Sequence, residues 1–425
     1  MTPSTRIAAV TARQVYSDRG HPGVRATVTT ENGATASVEV TAGTSVGKYE
    51  VQFAYDEEDQ RFGGRGVGRA VRSVEQMIAP AIIGMDASDQ AGVDRVMIEL
   101  DGTTDKTRLG GNATAAVSAA VLQAAAKSLG LPLYRYIGGM NACLMPVAGV
   151  LAAGGARRYG GGQQSGSKPT YSLMCHGFDT FSQASYAAWE VDKVCRRLLF
   201  ERLGLDAVSR ATPPVISPGT IRHDRELWSL MAEAIDAAGY EGRIGIQVDV
   251  AAGTYYDEES ERYVGLFSAE DKTRDAMIAL YQEAVRDYPF VIVEDPLDED
   301  DFEGHAILAR TLGIEVVGDD LFTTNLERVR SGIEMGAANA VLLKVNQIGT
   351  ITEAFEVVRY AYRHGYGVMP CNSRGEGEAI ADYTVGLGCG HLREGATGPV
   401  GNRFLEIEEE LGDRAEFAGR CGLKP

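Results

Sequence analysis

Short apolar runs that end in charged side chains recur through the second half of the chain. Four of them lie at residues 244–248, 290–293, 314–317 and 340–343, and amphipathic segments of helical length separate them. Short runs rich in Val, Ile and Leu are typical of parallel strands that are buried on both faces. The pattern predicts consecutive βα units, and therefore an α/β barrel.

The charged residues at the ends of these runs are Asp249, Glu294, Asp319 and Lys344. In an α/β barrel the carboxyl ends of the strands share one mouth, where catalytic groups lie. One acidic residue after a strand is most often a helix cap or a solvated turn, but three acids and a lysine at successive strand ends favour a functional site. Converging carboxylates repel one another unless a cation binds them, and oxygen ligands suit Mg²⁺.

The first third of the chain has a different pattern. Residues 6–40 alternate apolar and polar side chains around a Glu31-Asn32-Gly33 turn, which predicts a β-hairpin. Residues 110–130 are alanine-rich and predict a helix. The glycines at 138–139 and the proline at 146 indicate a boundary, so we predict an α+β domain over residues 1–140 and a barrel over residues 141–425.

Three loops contain further candidates for ligand binding. Residues 41–47 are small and include Ser45, and they form either a plain linker or a loop that folds over a ligand. The glycine-rich segment 153–168 contains Arg157, Arg158 and Lys168, and is either a linker or a lid that grips an anion. Arg374 lies between an expected strand and helix, where a guanidinium is well placed for a carboxylate or phosphate.

Composition narrows the class of protein. A chain of 425 residues is long enough for a barrel with an accessory domain, and 44% hydrophobic with 24% charged residues is ordinary for a soluble globular protein. We find no apolar run of membrane-spanning length and no signal-peptide pattern, so we expect a cytoplasmic protein. The six cysteines lack the paired spacing of a disulfide framework or a zinc site. A net charge of −18 argues against nucleic acid, and an anionic substrate would need bound dications.

Several motifs resemble the signatures of the enolase family, and the similarity covers nearly the whole chain. The motif-bearing segments are residues 16–22, 44–47, 100–103, 294–301, 317–325, 344–350 and 407–411. The resemblance implies an α+β capping domain followed by an α/β barrel with an irregular first pair of strands. It also implies at least a dimer, formed through the N-terminal domain.

The resemblance assigns roles to the candidate residues. Asp249, Glu294 and Asp319 would bind one Mg²⁺, and Ser45 would meet a second Mg²⁺ when its loop closes. Lys344 would be the general base that takes the proton α to a carboxylate, since nearby positive charge favours a neutral amine.

The substrate phosphate is assigned to the segment 373–376, which resembles the family motif His-Arg-Ser-Gly-Glu. Arg374 would bind the phosphate, and Ser373 beside it is a further candidate for substrate binding.

The chain departs from the family pattern at the positions that expel water and hold the carboxylate. Pro214 stands where the family has a catalytic glutamate, and Pro169-Thr170-Tyr171 replaces Gln-Glu-Phe. Arg157 replaces a histidine. The family's second lysine is expected within residues 395–402, which contain none. An acid catalyst contributes roughly 10²–10⁴ in rate, so we expect ordinary enolase turnover to be impaired.

These departures predict an enolase-like Mg²⁺ enzyme with a changed reaction on an enolpyruvyl phosphate or phosphonate. The pattern is similar to that of the carboxyphosphonoenolpyruvate synthases of phosphinate biosynthesis, which build an enolpyruvyl ester on a carboxyphosphonate. The extra acidic group of that substrate would contact Arg157, Arg158 or Lys168. One alternative is a phosphopyruvate hydratase in which Glu376 or Glu378 supplies the acid. The other is a non-catalytic metal-binding homologue, and the retained carboxylates and Lys344 argue against it.

Overall fold

The computed structural model describes residues 4–17, 20–43, 46–58, 60–204 and 214–425. Its N-terminal part is an antiparallel sheet of β1 (Ile7–Tyr16), β2 (Pro22–Thr30) and β3 (Thr35–Thr41), in that order. The predicted hairpin is confirmed as β2 and β3. Alternate side chains of β2, namely Val24, Ala26 and Val28, are buried, as expected for a sheet with one face covered.

Helices cover the buried face of this sheet. The alanine-rich segment is confirmed as the helix α4, which packs across β2 and β3 with small side chains that allow close approach. The helices of this part are α1 (Gly68–Ser73), α2 (Ala79–Ile82), α3 (Gln90–Asp101), α4 (Gly111–Ser128) and α5 (Leu133–Gly138), and one π-helical turn (Val74–Ile78) joins α1 to α2.

The remainder of the chain forms a nearly closed barrel of eight strands. The hydrogen-bonded order is β13-β12-β11-β10-β7-β6-β5-β14, and the flanking strands form small two-stranded pairs. The strands are β4 (Leu144–Met145), β5 (Val147–Ala153), β6 (Thr170–Cys175), β7 (Ile244–Asp249), β8 (Tyr256–Asp257), β9 (Arg262–Tyr263), β10 (Phe290–Glu294), β11 (Glu315–Gly318), β12 (Ala340–Leu343), β13 (Gly367–Pro370), β14 (His391–Leu392) and β15 (Glu416–Phe417).

The four predicted strands are confirmed as β7, β10, β11 and β12, and neighbouring members pair in parallel. The expected irregularity is also present, because β6 runs antiparallel to both β5 and β7. Its first residue, Thr170, therefore lies opposite Asp249, the last residue of β7. This reversal brings the chain before β6 to the mouth of the barrel, where the other strands present the residues that follow them.

Helices on the outside of the barrel bury the outer faces of the strands. One of them matches a predicted helix, since α13 follows the segment that contains Arg374. The helices are α6 (Phe181–Leu203), α7 (Arg225–Ala237), α8 (Arg274–Asp287), α9 (Phe302–Thr311), α10 (Leu326–Met335), α11 (Val345–Ile348), α12 (Ile351–Arg363), α13 (Ala379–Gly386) and α14 (Gly398–Leu411). The predicted division near residue 140 stays a prediction.

A buried carboxylate fastens the N-terminal helices to the barrel. Asp94 of α3 accepts hydrogen bonds from the amide and the hydroxyl of Thr352 at 2.9 and 2.6 Å, and from Ser118 of α4 at 2.6 Å. Thr352 lies in the first turn of α12, where backbone N–H groups lack partners within the helix. Asp94, a residue of the N-terminal part, thus supplies a hydrogen-bond acceptor to the first turn of the barrel helix α12.

Membrane-spanning potential is confined to one bent pair of segments in the described chain. No single described helix is long and apolar enough to cross a membrane, and the stretch Gly111–Ser128 with Leu133–Asn141 reaches the required length only across a bend of 94°.

A buried histidine follows the carboxyl end of β6, at the end of the barrel opposite the mouth. His176 is 4% exposed, and burial together with the nearby Arg420 lowers its pKa to about 4. Below pH 6.5 the unfolded chain takes up a proton on this imidazole that the folded chain does not bind. The free energy of unfolding is therefore expected to fall as the pH drops from 6.5 towards 4.

Replacing this histidine tests the expected pH dependence. His176→Gln is expected to reduce the loss of unfolding free energy between pH 7 and pH 4 by about 2 kcal/mol relative to the native chain. Urea titrations of both proteins at a series of pH values measure this difference. Parallel pH profiles for the two proteins would contradict the expectation.

Candidate active site

Buried carboxylates converge where the sequence predicted them, at the mouth of the barrel. Asp249 and Glu294 end neighbouring strands and lie side by side in the parallel register of β7 and β10. Oxygen atoms of Glu294, Asp295 and Asp319 all lie within 4.8 Å of one another. One oxygen of Asp249, Oδ1, is buried without a hydrogen-bond partner. A set of carboxylate oxygens with one left unsatisfied fits Mg²⁺, which Asp249, Glu294 and Asp319 would hold.

Asp295 was not predicted, although it directly follows Glu294. Its carboxylate accepts the backbone amides of Asp319 and Asp320 at 2.9 and 2.7 Å, so it shapes the turn that presents Asp319. Burial and the neighbouring carboxylates of Asp320 and Asp319 raise its pKa well above the ordinary value. Burial and the carboxylate of Asp319 raise the pKa of Asp320 to about 7. This part of the mouth therefore attracts positive charge.

Lys344 donates a short hydrogen bond to Asp319 Oδ2, and the other oxygen of Asp319 accepts from Gln347 at 2.7 Å. Its backbone amide donates to the hydroxyl of Thr324 at 3.0 Å, which fixes the end of β12. Burial lowers the pKa of Lys344, but the Asp319 carboxylate outweighs this effect and the net pKa is raised. For Asp319, Lys344 outweighs burial and lowers the pKa to about 2.

Lys168 also lies inside the mouth. Its ammonium contacts Asp249 Oδ2, and its side chain is 11% exposed. Tyr255 donates a 2.7 Å hydrogen bond to the Lys168 carbonyl and so fixes the backbone of this residue. Burial and the cations of Arg393 and Lys344 lower the pKa of Lys168 to about 8. The structure thus brings Lys168 to Asp249, a predicted metal ligand, and the predicted contact of Lys168 with substrate stays a prediction.

Arg393 is the second cation on Asp249, and the sequence analysis missed it. One guanidinium nitrogen donates to Asp249 and to Glu294 Oε1, the latter at 3.0 Å, and another donates to Cys371 Sγ at 3.1 Å. The sequence analysis had looked for a cation within 395–402. Arg393 directly follows β14, so the strand-end rule could have found it, but a strand of two residues in a glycine-rich stretch gives almost no apolar signal.

Arg374 is buried and bound by a carboxylate of the N-terminal part. Its two terminal nitrogens donate to both oxygens of Glu50, one of them at 2.5 Å, and Glu50 also accepts the amide of Gly47 at 3.0 Å. Its neighbour Ser373 lines a cavity of about 600 Å³ beside β3 and accepts from the Cys371 thiol at 3.2 Å. The predicted phosphate contacts stay predictions, and Glu50 is a further residue that the sequence analysis did not identify.

The structure favours structural roles for the other two loop arginines. Arg158 donates to Asp224 at 2.5 and 3.1 Å and to the Gly155 carbonyl at 2.6 Å. Each of its side-chain nitrogens has a protein acceptor, so Arg158 anchors the 153–168 loop, and its predicted contact with substrate stays a prediction. Arg157 is exposed and donates to the Gln163 carbonyl at 2.9 Å, so it braces the same loop from outside.

The remaining predicted positions lie around this mouth or outside the described chain. Ser45 lies outside the described residues. Pro214 accepts the amide of Gly154 through its carbonyl at 2.9 Å, and it has no proton to donate. Glu376 accepts the backbone amide of Arg374 at 2.9 Å, whereas Glu378 is exposed. The acid role weighed for these two glutamates stays a prediction.

Comparisons with known proteins agree with this geometry. The family model described as "Enolase, N-terminal domain" matches residues 7–137, and the one described as "Enolase, C-terminal TIM barrel domain" matches residues 161–425. A protein named Enolase from Methanopyrus kandleri is 44% identical, with 98% of both chains covered. Those from Methanocaldococcus jannaschii and Thermococcus gammatolerans are each 40% identical, with 97% or more of both chains covered. The chain belongs to the enolase family.

Proposed function

We propose that this chain is a Mg²⁺-dependent lyase that removes the proton α to the carboxylate of a phosphorylated three-carbon acid. The single observation that carries the proposal is the contact between Lys344 and Asp319 beside the carboxylates of Glu294 and Asp295. It joins a candidate base to a candidate metal ligand at one barrel mouth. Relatives named Enolase at 40–44% identity support the interconversion of 2-phosphoglycerate and phosphoenolpyruvate as the reaction.

Lys344 is the base in this proposal. Among the described residues Asp319 is the carboxylate that pairs with Lys344, and the raised pKa of Lys344 favours the ammonium. Asp249, Glu294 and Asp319 would hold Mg²⁺, which would supply positive charge to offset the Asp319 carboxylate and the charge that develops on the substrate. Gln347 holds the second oxygen of Asp319, so the carboxylate keeps its orientation towards Lys344 during the reaction.

The residues around the base hold and enclose an anionic substrate. Arg374 presents a guanidinium whose position is fixed by Glu50, and this pair joins the N-terminal part to the barrel. Burial of the pair excludes water from this side of the mouth and strengthens charge interactions there.

The proposed reaction is tested by the absorbance of phosphoenolpyruvate formed from 2-phosphoglycerate, with Mg²⁺ and with excess EDTA. We expect formation that requires Mg²⁺. The rate is expected to be reduced relative to relatives that keep the family's catalytic glutamate, because Pro214 cannot donate a proton. Absence of product at any Mg²⁺ concentration would overturn the hydratase assignment.

A second candidate is the formation of an enolpyruvyl ester on a carboxyphosphonate. The observation that favours it is the pair of cations, Lys168 and Arg393, that contact Asp249 at the mouth. Thr170 and Pro214 stand at the two positions where the family pattern has acidic residues. Phosphorus NMR of phosphoenolpyruvate or 2-phosphoglycerate mixed with phosphonoformate, free or nucleotide-activated, distinguishes the two reactions. A new phosphonate ester resonance without hydratase activity would favour this candidate.

Assembly into a homodimer or a higher homo-oligomer is also proposed, on the basis of the family pattern. Size-exclusion chromatography with light scattering tests it, and a monomer at micromolar concentration would contradict it.

A further inference from the structure

Asp249 is held by two cations, and these cations are carried by very different parts of the fold. Lys168 Nζ and Arg393 Nη1 both contact the same carboxylate oxygen, Oδ2. The other oxygen, Oδ1, is buried and has no hydrogen-bond partner. A residue that is expected to bind Mg²⁺ is therefore neutralised by the protein's own side chains.

Buried groups of both charges meet at the mouth of the barrel. Among the described residues, and apart from the Glu50–Arg374 pair, five buried carboxylates face three buried cations. The carboxylates are Asp249, Glu294, Asp295, Asp319 and Asp320, and the cations are Lys168, Lys344 and Arg393. Each cation that stays in place lowers the affinity of the site for a dication, because like charges at this separation in a buried site repel strongly.

The two cations on Asp249 differ in their freedom to move. Arg393 directly follows β14, and its guanidinium is shared among Asp249, Glu294 and Cys371, so it stays where the barrel places it. Lys168 belongs to a loop, and its ammonium contacts Asp249 at the end of a long flexible side chain. The backbone of Lys168 is anchored independently, because its amide donates to Ser165 and its carbonyl accepts from Tyr255.

We propose that Lys168 is a movable counter-cation of Asp249: it neutralises this carboxylate in the metal-free protein and competes with Mg²⁺ for it. Because the loop backbone is anchored separately, the side chain is free to leave Asp249 without unfolding the loop. This inference rests on the proposed function, since it takes Asp249 to be a ligand of Mg²⁺. It assigns Lys168 a role in setting metal affinity, which makes it a positioning residue for the metal site.

The competition is measured by calorimetric titration of the full chain with MgCl₂, without substrate. Lys168→Met is expected to bind Mg²⁺ about tenfold more tightly than the native chain, because the competing charge is gone while Arg393 still holds Asp249. Lys168→Arg keeps the charge and is expected to stay within about threefold of the native affinity. The rise in melting temperature on adding MgCl₂ is expected to be larger for Lys168→Met than for either of the other two proteins.

Lys106→Met is the matched control, because Lys106 is also buried and ion-paired, with Glu353 at 3.0 Å, outside the carboxylate cluster. Its Mg²⁺ affinity is expected to stay at the native value. Unchanged or weaker binding by Lys168→Met would overturn the competition and leave the proposed function standing. Equal tightening by Lys106→Met would also overturn it, since the effect would then be one of overall charge. If the native chain and every variant bind no Mg²⁺, both the metal site and this inference are overturned.

Discussion

A Lys344→Ala variant is expected to form phosphoenolpyruvate from 2-phosphoglycerate about 10²- to 10⁴-fold more slowly than the native chain. Lys344 is the amine that the barrel places at the end of β12 against Asp319, and alanine removes the proton acceptor without filling its place. Asp319 keeps its hydrogen bond from Gln347, so the metal ligands are expected to remain in position. Initial rates at saturating Mg²⁺ measure the loss.

Lys272→Ala is the matched control for this loss. Lys272 is another buried lysine of the barrel, and its ammonium donates to Leu266, Ser268 and Glu270 within its own loop. This variant is expected to lose stability but to keep a rate within a few-fold of the native chain. A Lys344→Ala variant that retained most of the native rate would show that another group removes the proton.

The largest loss of stability is expected from Asp224→Ala. Asp224 is fully buried and accepts hydrogen bonds from Arg158, from Tyr159 at 2.8 Å and from Tyr171 at 2.6 Å. Alanine leaves the Arg158 guanidinium buried without its counter-charge, which costs about 3–5 kcal/mol of unfolding free energy. Urea denaturation of the metal-free protein measures this cost.

A double variant and a surface control separate the buried charge from general damage. Asp224→Leu combined with Arg158→Met removes both charges and keeps apolar volume, so it is expected to be less destabilised than Asp224→Ala. Asp236 lies on the exposed face of α7, the helix that directly follows Asp224. Asp236→Ala is expected to change the free energy of unfolding by less than about 0.5 kcal/mol. An Asp224→Ala loss as small as that of Asp236→Ala would contradict a structural role for the Arg158–Asp224 pair.

The part of the site that the sequence predicts follows from one local rule. Buried parallel strands have a strong apolar signal, and the residue that ends each strand or directly follows it lies at the mouth. Asp249, Glu294, Asp319 and Lys344 each obey this rule, and the structure brings all four together. The antiparallel hairpin and the alanine-rich helix could also be predicted from the sequence, because the pattern that indicates each of them lies within a single stretch of chain.

The contacts that the sequence analysis did not foresee join distant parts of the chain. Lys168 reaches the mouth because β6 is reversed, so the chain that precedes this strand, and not the chain that follows it, lies near Asp249. Arg158 and Asp224 are 66 residues apart, and Arg374 and Glu50 are 324 apart, so no local pattern reveals that these charges meet. An arginine in a loop has the same appearance in a sequence whether it binds substrate or a buried carboxylate.

In the proposed function, the groups that abstract the proton are complete while those that expel the leaving group are changed. Proton NMR of 2-phosphoglycerate in D₂O with Mg²⁺ tests it most directly, because one sample reports deuterium entry at C2 and loss of substrate to phosphoenolpyruvate. We expect deuterium exchange at C2 that is faster than elimination and is lost in Lys344→Ala. Elimination without excess exchange, or no exchange by the native chain, would contradict it.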